Sequence, residues 1–222
     1  MDMTTILFDV GGTLVFPSWS RISDELAREG IDIAPEQLAA SEPRARHAID
    51  RETLAHRTRD PARWAEFFDL IVRECGVAGI PPAALARLKA YNDAHNLWEH
   101  VPPEVPRLLE RLRRRHRLGV VSNSDGSVAR KLAELDLAPV FEVIIDSHLV
   151  GVAKPDPRIF QIALEQMSVR ADEAVYVGDI YHVDVVGPRA AGLRPILLDP
   201  CGLHTDKDCD RVRSLTELVP SV

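Results

Sequence analysis

Carboxylate, hydroxyl and ammonium side chains occur in this 222-residue sequence at the points where short apolar segments end. The residues concerned are Asp9, Ser122, Lys154, Asp179 and Asp184. Neighbouring carboxylates repel one another, and a hard cation such as Mg²⁺, which prefers oxygen ligands, relieves that repulsion. A hydroxyl and an ammonium beside the cation suit a phosphoryl group, which a carboxylate can attack to form an acyl phosphate. Brought together, these side chains predict Mg²⁺-assisted phosphoryl transfer with Asp9 as the nucleophile.

Five short apolar segments predict the strands that must position these side chains. They are Thr4–Phe8, Leu118–Ser122, Val143–Asp146, Val175–Gly178 and Arg194–Leu198. Helical patterns alternate with the later strands, at Ser124–Leu135, at Asp156–Met167, in a segment that ends at Ala191, and at Leu215–Val219. This alternation is typical of a parallel sheet with helices on both faces, in which ligands bind beyond the carboxyl ends of the strands. We therefore expect the polar residues to meet at one edge of the sheet.

A block without strand patterns separates the first strand from the rest. Its predicted helices are Ile22–Glu29, Pro35–Arg57, Pro61–Glu74 and Pro82–Asn96. Pro61 and Pro82 stand where first-turn prolines are favoured. The sequence therefore predicts a doubly wound, Rossmann-like α/β core, made of residues 1–16 and 98–222. An all-helical domain of residues 17–97 is inserted into this core.

The composition of the chain argues against some classes of binding partner and indicates a cellular compartment. The formal net charge of −7 argues against nucleic acid, whose binders normally carry a net basic surface. No apolar run approaches the roughly 18–20 residues that span a bilayer, so we expect no membrane partner. Three cysteines, an odd and low number, fit a reducing compartment. The first residues lack the pattern of a signal peptide, and a cytoplasmic location is the expectation.

Four motifs, in order, make the chain resemble the haloacid dehalogenase-like (HAD) superfamily, in the branch with a helical cap inserted after the first motif. The motifs are Phe8-Asp9-Val10-Gly11-Gly12-Thr13-Leu14, Ser122-Asn123, Lys154-Pro155, and Gly178-Asp179 with Asp184. Each motif alone is weakly specific, but their order and spacing cover nearly the whole chain. The resemblance implies a hydrolase that is a Mg²⁺-dependent phosphatase of a small phosphorylated metabolite. The cap would exclude water and select the substrate.

The resemblance also implies a role for each motif position. Asp9 would be the nucleophile, Ser122 would hydrogen-bond the transferring phosphoryl group, and Lys154 would neutralise its charge. The expected metal ligands are Asp9, the main-chain carbonyl of Gly11, Asp179 and, through water, Asp184. The expected substrate-binding residues are Gly12, Thr13, Ser122, Asn123 and Lys154.

The chain departs from the family pattern at Gly11. Most phosphatases of the family carry a second aspartate there, which protonates the leaving group and then activates the hydrolytic water. General acid–base help of this kind is worth about 10²–10⁴-fold. The enzyme is therefore slow, or its substrate has a good leaving group, or a cap residue such as His47 or His56 supplies the proton. The cap residues expected to face the substrate are Phe16, Trp19, Arg44, Arg46 and His47.

Two other functions stay open. Metal-independent 2-haloacid dehalogenases also lack the second aspartate, but they typically carry a tyrosine at the position of Gly11. Because they need no metal, the presence of Asp179 and Asp184 favours the phosphatase. A module that binds phosphate with little or no turnover is the second alternative. The sequence identifies neither the substrate nor the oligomeric state, monomer or homodimer.

Overall fold

A computed structural model of the chain describes residues 4–51 and 61–218, except for the side chains of residues 51 and 61–63. Contacts divide the chain into two compact units. One, the α/β unit, consists of Met1–Phe16 and Val101–Val222, and the other, the helical unit, consists of Pro17–His100. No helix among the described residues is long and apolar enough to cross a bilayer.

Eight strands occur in the described residues. They are β1 (Thr5–Phe8), β2 (Phe16–Pro17), β3 (Trp98–His100), β4 (Arg117–Ser122), β5 (Val143–Asp146), β6 (Ala174–Gly178), β7 (Arg194–Leu198) and β8 (Asp210–Val212). Six of them form a sheet in the order β5-β4-β1-β6-β7-β8, and every neighbouring pair in it is parallel. The five predicted strands are confirmed, and the short strands β2, β3 and β8 were not expected. The short strands β2 and β3 pair with each other.

The α-helices of the described residues are α1 (Trp19–Ala27), α2 (Pro35–Arg51), α3 (Pro61–Glu74), α4 (Pro82–His95), α5 (Glu104–Leu112), α6 (Val128–Glu134), α7 (Ser147–Val150), α8 (Pro157–Met167), α9 (Tyr181–Asp184) and α10 (Val186–Ala190). The predicted helix at Leu215–Val219 is a 3-10 helix over Leu215–Leu218, and Val219 lies outside the described residues. The chain passes from β1 to β4 and β5, and then returns to the other side of β1 for β6 and β7. Since parallel crossovers are right-handed, this reversal places helices on both faces of the sheet. The doubly wound α/β fold class is therefore confirmed.

The pairing register of the central strands places their carboxyl ends side by side. Phe8, the last residue of β1, lies opposite Val120 of β4 and Val177 of β6. Ser122, at the end of β4, lies opposite Asp146 of β5. Helices cover both faces of the sheet, so the side chains on both faces of each central strand are buried. These strands are therefore almost continuously apolar until their last residues. Polar residues follow there and collect at one edge of the sheet.

The loop between β4 and α6 is longer than predicted. The helix was expected to begin at Ser124, but it begins at Val128. The main-chain N–H groups of Gly126 and Val128 donate instead to the buried carboxylate of Asp146, over 3.0–3.3 Å. Side-chain acceptors that compete with the helix for main-chain donors favour a loop. Asp146 therefore delays the helix.

The predicted helix before Ala191 is divided into α9 and α10. Val185, between them, has φ −115° and ψ −51°. Pro188 has no N–H, so it cannot donate to the carbonyl four residues earlier, and an uninterrupted helix would lose a hydrogen bond there. The interruption falls directly after Asp184.

The helical unit has its own apolar core, formed by α1 to α4. Ile22, Leu38, Phe68, Ile71 and Leu88 are all 0% exposed. An aromatic cluster adds to it, in which the rings of Trp64 and Phe68 lie 4.7 Å apart in an edge-to-face arrangement. The predicted helix from Pro35 continues at least to Arg51, and residues 52–60 lie outside the described part of the chain.

Candidate active site

Asp9 directly follows β1, and its main chain extends the ladder by one residue through a 2.9 Å hydrogen bond from its N–H to the carbonyl of Val177. The chain then turns sharply, because the N–H groups of Leu14 and Val15 both donate to the carbonyl of Val10 at 2.9 Å. Gly12 has φ 84°, which glycine adopts without steric cost. The turn holds Asp9 at the sheet edge, 8% exposed.

Lys154 brings a positive charge to Asp9. Its Nζ lies 2.8 Å from Oδ1 of Asp9 and 2.8 Å from Oδ1 of Asp184. The residue is only 2% exposed, so the ammonium is separated from solvent and its two ion pairs are weakly screened. Residues far apart in sequence therefore form one charged cluster.

Asp184 shares Lys154 with Asp9 and uses both of its carboxylate oxygens within the protein. Oδ1 accepts from Lys154, and Oδ2 accepts from the main-chain N–H groups of Asp179 and Ile180 at 3.2 and 3.0 Å. The side chain is completely buried. Asp184 therefore orients Lys154 and the turn after β6.

Asp179, 5% exposed, completes the acidic group. The hydroxyl of Thr13 donates to its Oδ1 at 3.0 Å. Carboxylate oxygens of Asp9, Asp179 and Asp184 lie within 4.8 Å of one another, in a group that could hold a metal ion. Three buried carboxylates against one ammonium form a donor set that suits a hard divalent cation.

The electrostatics of the cluster favour such a cation. Burial raises the pKa of Asp9 above its usual range; Lys154 opposes the increase and the charge of Asp184 adds to it. Burial alone would lower the pKa of Lys154, but the carboxylates of Asp184 and Asp9 raise it above its ordinary value. A cation beside Asp9 would stabilise the ionised carboxylate that a nucleophile needs.

Ser122 is the last residue of β4, the strand beside β1, and Asn123 follows it. Ser122 is 6% exposed. The side-chain amide of Asn123 binds the main chain of Lys154 twice: its Nδ2 donates to the Lys154 carbonyl at 3.0 Å, and its Oδ1 accepts from the Lys154 N–H at 2.8 Å. Asn123 was expected to bind substrate, but both polar atoms of its side-chain amide hold the main chain of Lys154 in this structure.

Two residues of this edge were missed in the sequence. Asp146 accepts from the N–H of His148 at 2.9 Å as well as from the loop that follows Ser122. Tyr176, in the middle of β6, places its hydroxyl 2.7 Å from Nζ of Lys154. A tyrosine in a fully buried strand must find a partner for its hydroxyl, and that signal was available in the sequence.

Burial raises the pKa of Tyr176 well above its ordinary value, and the negative charges of Asp184 and Asp9 add to the increase. The phenol therefore keeps its proton.

The elements that carry the remaining predicted residues are as follows. Gly11 lies in the turn, two residues after Asp9. Phe16 lies in β2, as the last residue of the first segment of the α/β unit. In the helical unit, Trp19 lies in α1, and Arg44, Arg46 and His47 lie in α2.

Arg46 forms an ion pair with Glu42 and places its guanidinium 5.0 Å from the ring centre of Phe67. His56 lies outside the described residues.

Known proteins share this architecture. A glyceraldehyde 3-phosphate phosphatase from Methanopyrus kandleri is 30% identical over 195 residues, which cover 85% of this chain and 80% of that protein. The crystal structure of a HAD phosphatase from Thermococcus onnurineus is 28% identical, with a TM-score of 0.62 over 99% of this chain and 97% of that one. A 2-haloacid dehalogenase from Pseudomonas syringae is 25% identical, with a TM-score of 0.60 over 98% and 97%.

The family model for haloacid dehalogenase-like hydrolases matches residues 3–192, which span β1, the helical unit and the strands up to β6. This match includes every motif residue from Asp9 to Asp184, and the relatives are named as hydrolases, among them phosphatases. The chain is therefore a member of the haloacid dehalogenase-like hydrolase family, and it is a hydrolase.

Proposed function

We propose that this protein is a phosphatase that hydrolyses a small phosphorylated metabolite through a phosphoryl group carried on Asp9. The contact that carries the proposal is the 2.8 Å ion pair between Asp9 Oδ1 and Lys154 Nζ at the sheet edge. A carboxylate held beside a buried ammonium is oriented for attack on phosphorus, and the ammonium neutralises the charge that the incoming phosphoryl group adds. Phosphatase-named relatives support this chemistry over other hydrolytic reactions.

The reaction proceeds in two displacements. In the first, an oxygen of Asp9 attacks phosphorus and the bond to the leaving-group oxygen breaks. In the second, water attacks the phosphorus of the acyl phosphate, which releases inorganic phosphate and restores the carboxylate. Ser122 donates a hydrogen bond to the transferring group, and Lys154 contacts the same group. Gly12 and Thr13 are the proposed neighbours of the phosphoryl group in the turn after Asp9, where their main-chain N–H groups donate to the carbonyls of Val15 and Val10 at 2.9 and 3.3 Å.

Mg²⁺ is the proposed cofactor, held by Asp9, Asp179 and the main-chain carbonyl of Gly11. Asp184 would act on the ion indirectly, because both of its oxygens already accept hydrogen bonds within the protein. When bound, the ion neutralises charge on the phosphoryl oxygens and screens the carboxylates from one another. Asn123 serves as a positioning residue through its two bonds to the Lys154 main chain.

The helical insertion, residues 17–97, is proposed as the cap domain that selects the substrate. A proton donor for the leaving group must come from outside position 11, because glycine has no side chain. His47 in α2 and His56 are the proposed donors. If neither acts, the enzyme favours substrates whose leaving group departs without a proton.

The test is hydrolysis of p-nitrophenyl phosphate with Mg²⁺ and after its removal by EDTA. We expect turnover that depends on added Mg²⁺. Release of halide from 2-chloropropionate in EDTA would instead identify a dehalogenase, an outcome that the relative from Pseudomonas syringae makes worth measuring. Tight binding of inorganic phosphate without any turnover would identify a binding module. A screen of phosphorylated metabolites then identifies the substrate.

A further inference from the structure

Tyr176 occupies a position under the site where its hydroxyl meets three polar groups. It is 0% exposed, and its ring packs edge-to-face on Phe160 with centroids 5.0 Å apart. The hydroxyl oxygen lies 2.7 Å from Nζ of Lys154, 3.1 Å from Oδ1 of Asp184 and 3.0 Å from the carbonyl of Val121. A phenylalanine would pack equally well against its neighbours, so packing alone does not account for the hydroxyl.

The contacts of Lys154 explain what the hydroxyl does. An ammonium has three N–H donors, and Nζ of Lys154 has three close acceptors: Asp9 Oδ1 and Asp184 Oδ1 at 2.8 Å each, and the Tyr176 hydroxyl at 2.7 Å. One donor is thus available for each acceptor. Any acceptor that is removed leaves an N–H group of a buried charge without its bond, which is costly.

These acceptors lie at different depths. The side chains of Tyr176 and Asp184 are completely buried, whereas that of Asp9 is 11% exposed. Two acceptors therefore hold the ammonium from the interior, and the third N–H points to the nucleophile on the more open side. With two of its donors fixed, the ammonium cannot rotate freely.

We propose that Tyr176 is a positioning residue that fixes the Lys154 ammonium so that its outermost N–H is directed at Asp9 and at the phosphoryl group that Asp9 accepts. This inference rests on the proposed function. The phenol has a single proton, which it donates to the Val121 carbonyl or to Asp184 while it accepts from Lys154. Because Val121 directly precedes Ser122, the same hydroxyl also connects the middle of β6 to the end of β4.

Tyr176→Phe tests the proposal, because it removes the oxygen and keeps the ring. We expect kcat and kcat/KM to fall together by about 10–100-fold with KM little changed, since the misdirected ammonium weakens a transition-state contact. Phe160→Leu is the matched control: it disturbs the same core packing without touching Lys154. It should lower Tm while the folded enzyme keeps the wild-type kcat.

A second measurement does not depend on turnover. The chain has four lysines, and Lys154 is buried whereas Lys89, Lys131 and Lys207 are partly exposed. In protein labelled with ¹⁵N-lysine, the buried Lys154 ammonium should give one ¹H–¹⁵N NMR signal whose protons exchange slowly with water. Tyr176→Phe should shift it or broaden it away, and Phe160→Leu should leave it in place.

An unchanged ammonium signal in Tyr176→Phe would overturn the proposal, as would a wild-type kcat. Failure of the wild-type protein to hydrolyse any phosphoester would contradict the proposed function instead. The ammonium signal alone would then decide whether Tyr176 positions Lys154.

Discussion

Gly178 and Asp184 are packed so closely that no Cβ fits between them. A Cβ at position 178 would lie 2.5 Å from Cβ of Asp184 and 2.7 Å from its Oδ2, far inside van der Waals contact. Asp184 is completely buried in this position, where its Oδ2 accepts from two main-chain N–H groups of the turn after β6. The glycine therefore allows the carboxylate to fold back onto its own strand end and reach Lys154.

Gly178→Ala should displace the Asp184 carboxylate. We expect kcat/KM to fall by about 10–100-fold and the free energy of unfolding to fall by about 1–3 kcal/mol. Gly119→Ala is the control, since its Cβ would lie 2.7 Å from Cδ2 of Leu7 and 2.9 Å from Cγ2 of Val143, away from the site. Gly119→Ala should lower the free energy of unfolding, while the folded enzyme keeps its kcat. Wild-type kinetics in Gly178→Ala would show that the position of Asp184 is unimportant.

Asp9→Asn should abolish turnover, because the amide retains the shape of the side chain and is no nucleophile. The expected loss in kcat is at least about 10³-fold. Acid quenching after reaction with ³²P-labelled substrate should trap a hydroxylamine-sensitive phosphoprotein in the wild type and none in the variant. Asp125→Asn, the same chemical change at an exposed residue of the β4–α6 loop, should retain both signals. Labelling that persists in Asp9→Asn would exclude Asp9 as the phosphorylated residue.

Gly11→Asp should restore a proton donor beside the nucleophile. Alkyl phosphates, whose leaving groups need protonation, should gain up to about 10²-fold in kcat/KM relative to p-nitrophenyl phosphate. Gly11→Asn has nearly the same shape and no acidic proton, so it should give no such gain. An unchanged ratio of alkyl to aryl turnover in Gly11→Asp would mean that protonation of the leaving group does not limit the enzyme.

Asp146→Asn should loosen the loop that follows Ser122. The Oδ2 atom of Asp146 accepts from the N–H groups of Gly126 and Val128 at 3.0 and 3.3 Å, and an amide nitrogen in its place would face those donors. We expect the free energy of unfolding, measured with urea, to fall by about 1–3 kcal/mol. Asp125→Asn, at an exposed site in the same loop, should cost much less. Equal losses in the two variants would show that the buried carboxylate has no special role.

Local sequence patterns predict the α/β core, five of the six strands of its sheet and the edge at which polar residues collect. Apolar runs that end in polar residues mark buried parallel strands, and this signal is local. The position of Asp9 after β1 and of Asp179 after β6 followed from it. The start of α6 did not follow, because a distant carboxylate, that of Asp146, sets it. The division of α9 from α10 was missed, although Pro188 is a local signal for an interrupted helix.

The hydrogen-bond partner of each polar atom in the site depends on the tertiary structure. Asn123 binds the main chain of Lys154, Asp184 uses both of its oxygens within the protein, and Tyr176 accepts from the lysine ammonium. The Asn123 and Tyr176 contacts to Lys154 join residues 31 and 22 positions apart. Residue type and spacing indicate which polar groups will be buried, and each buried donor then needs an acceptor. Which acceptor it finds depends on strand order and register, and these bring distant segments within 3 Å of one another.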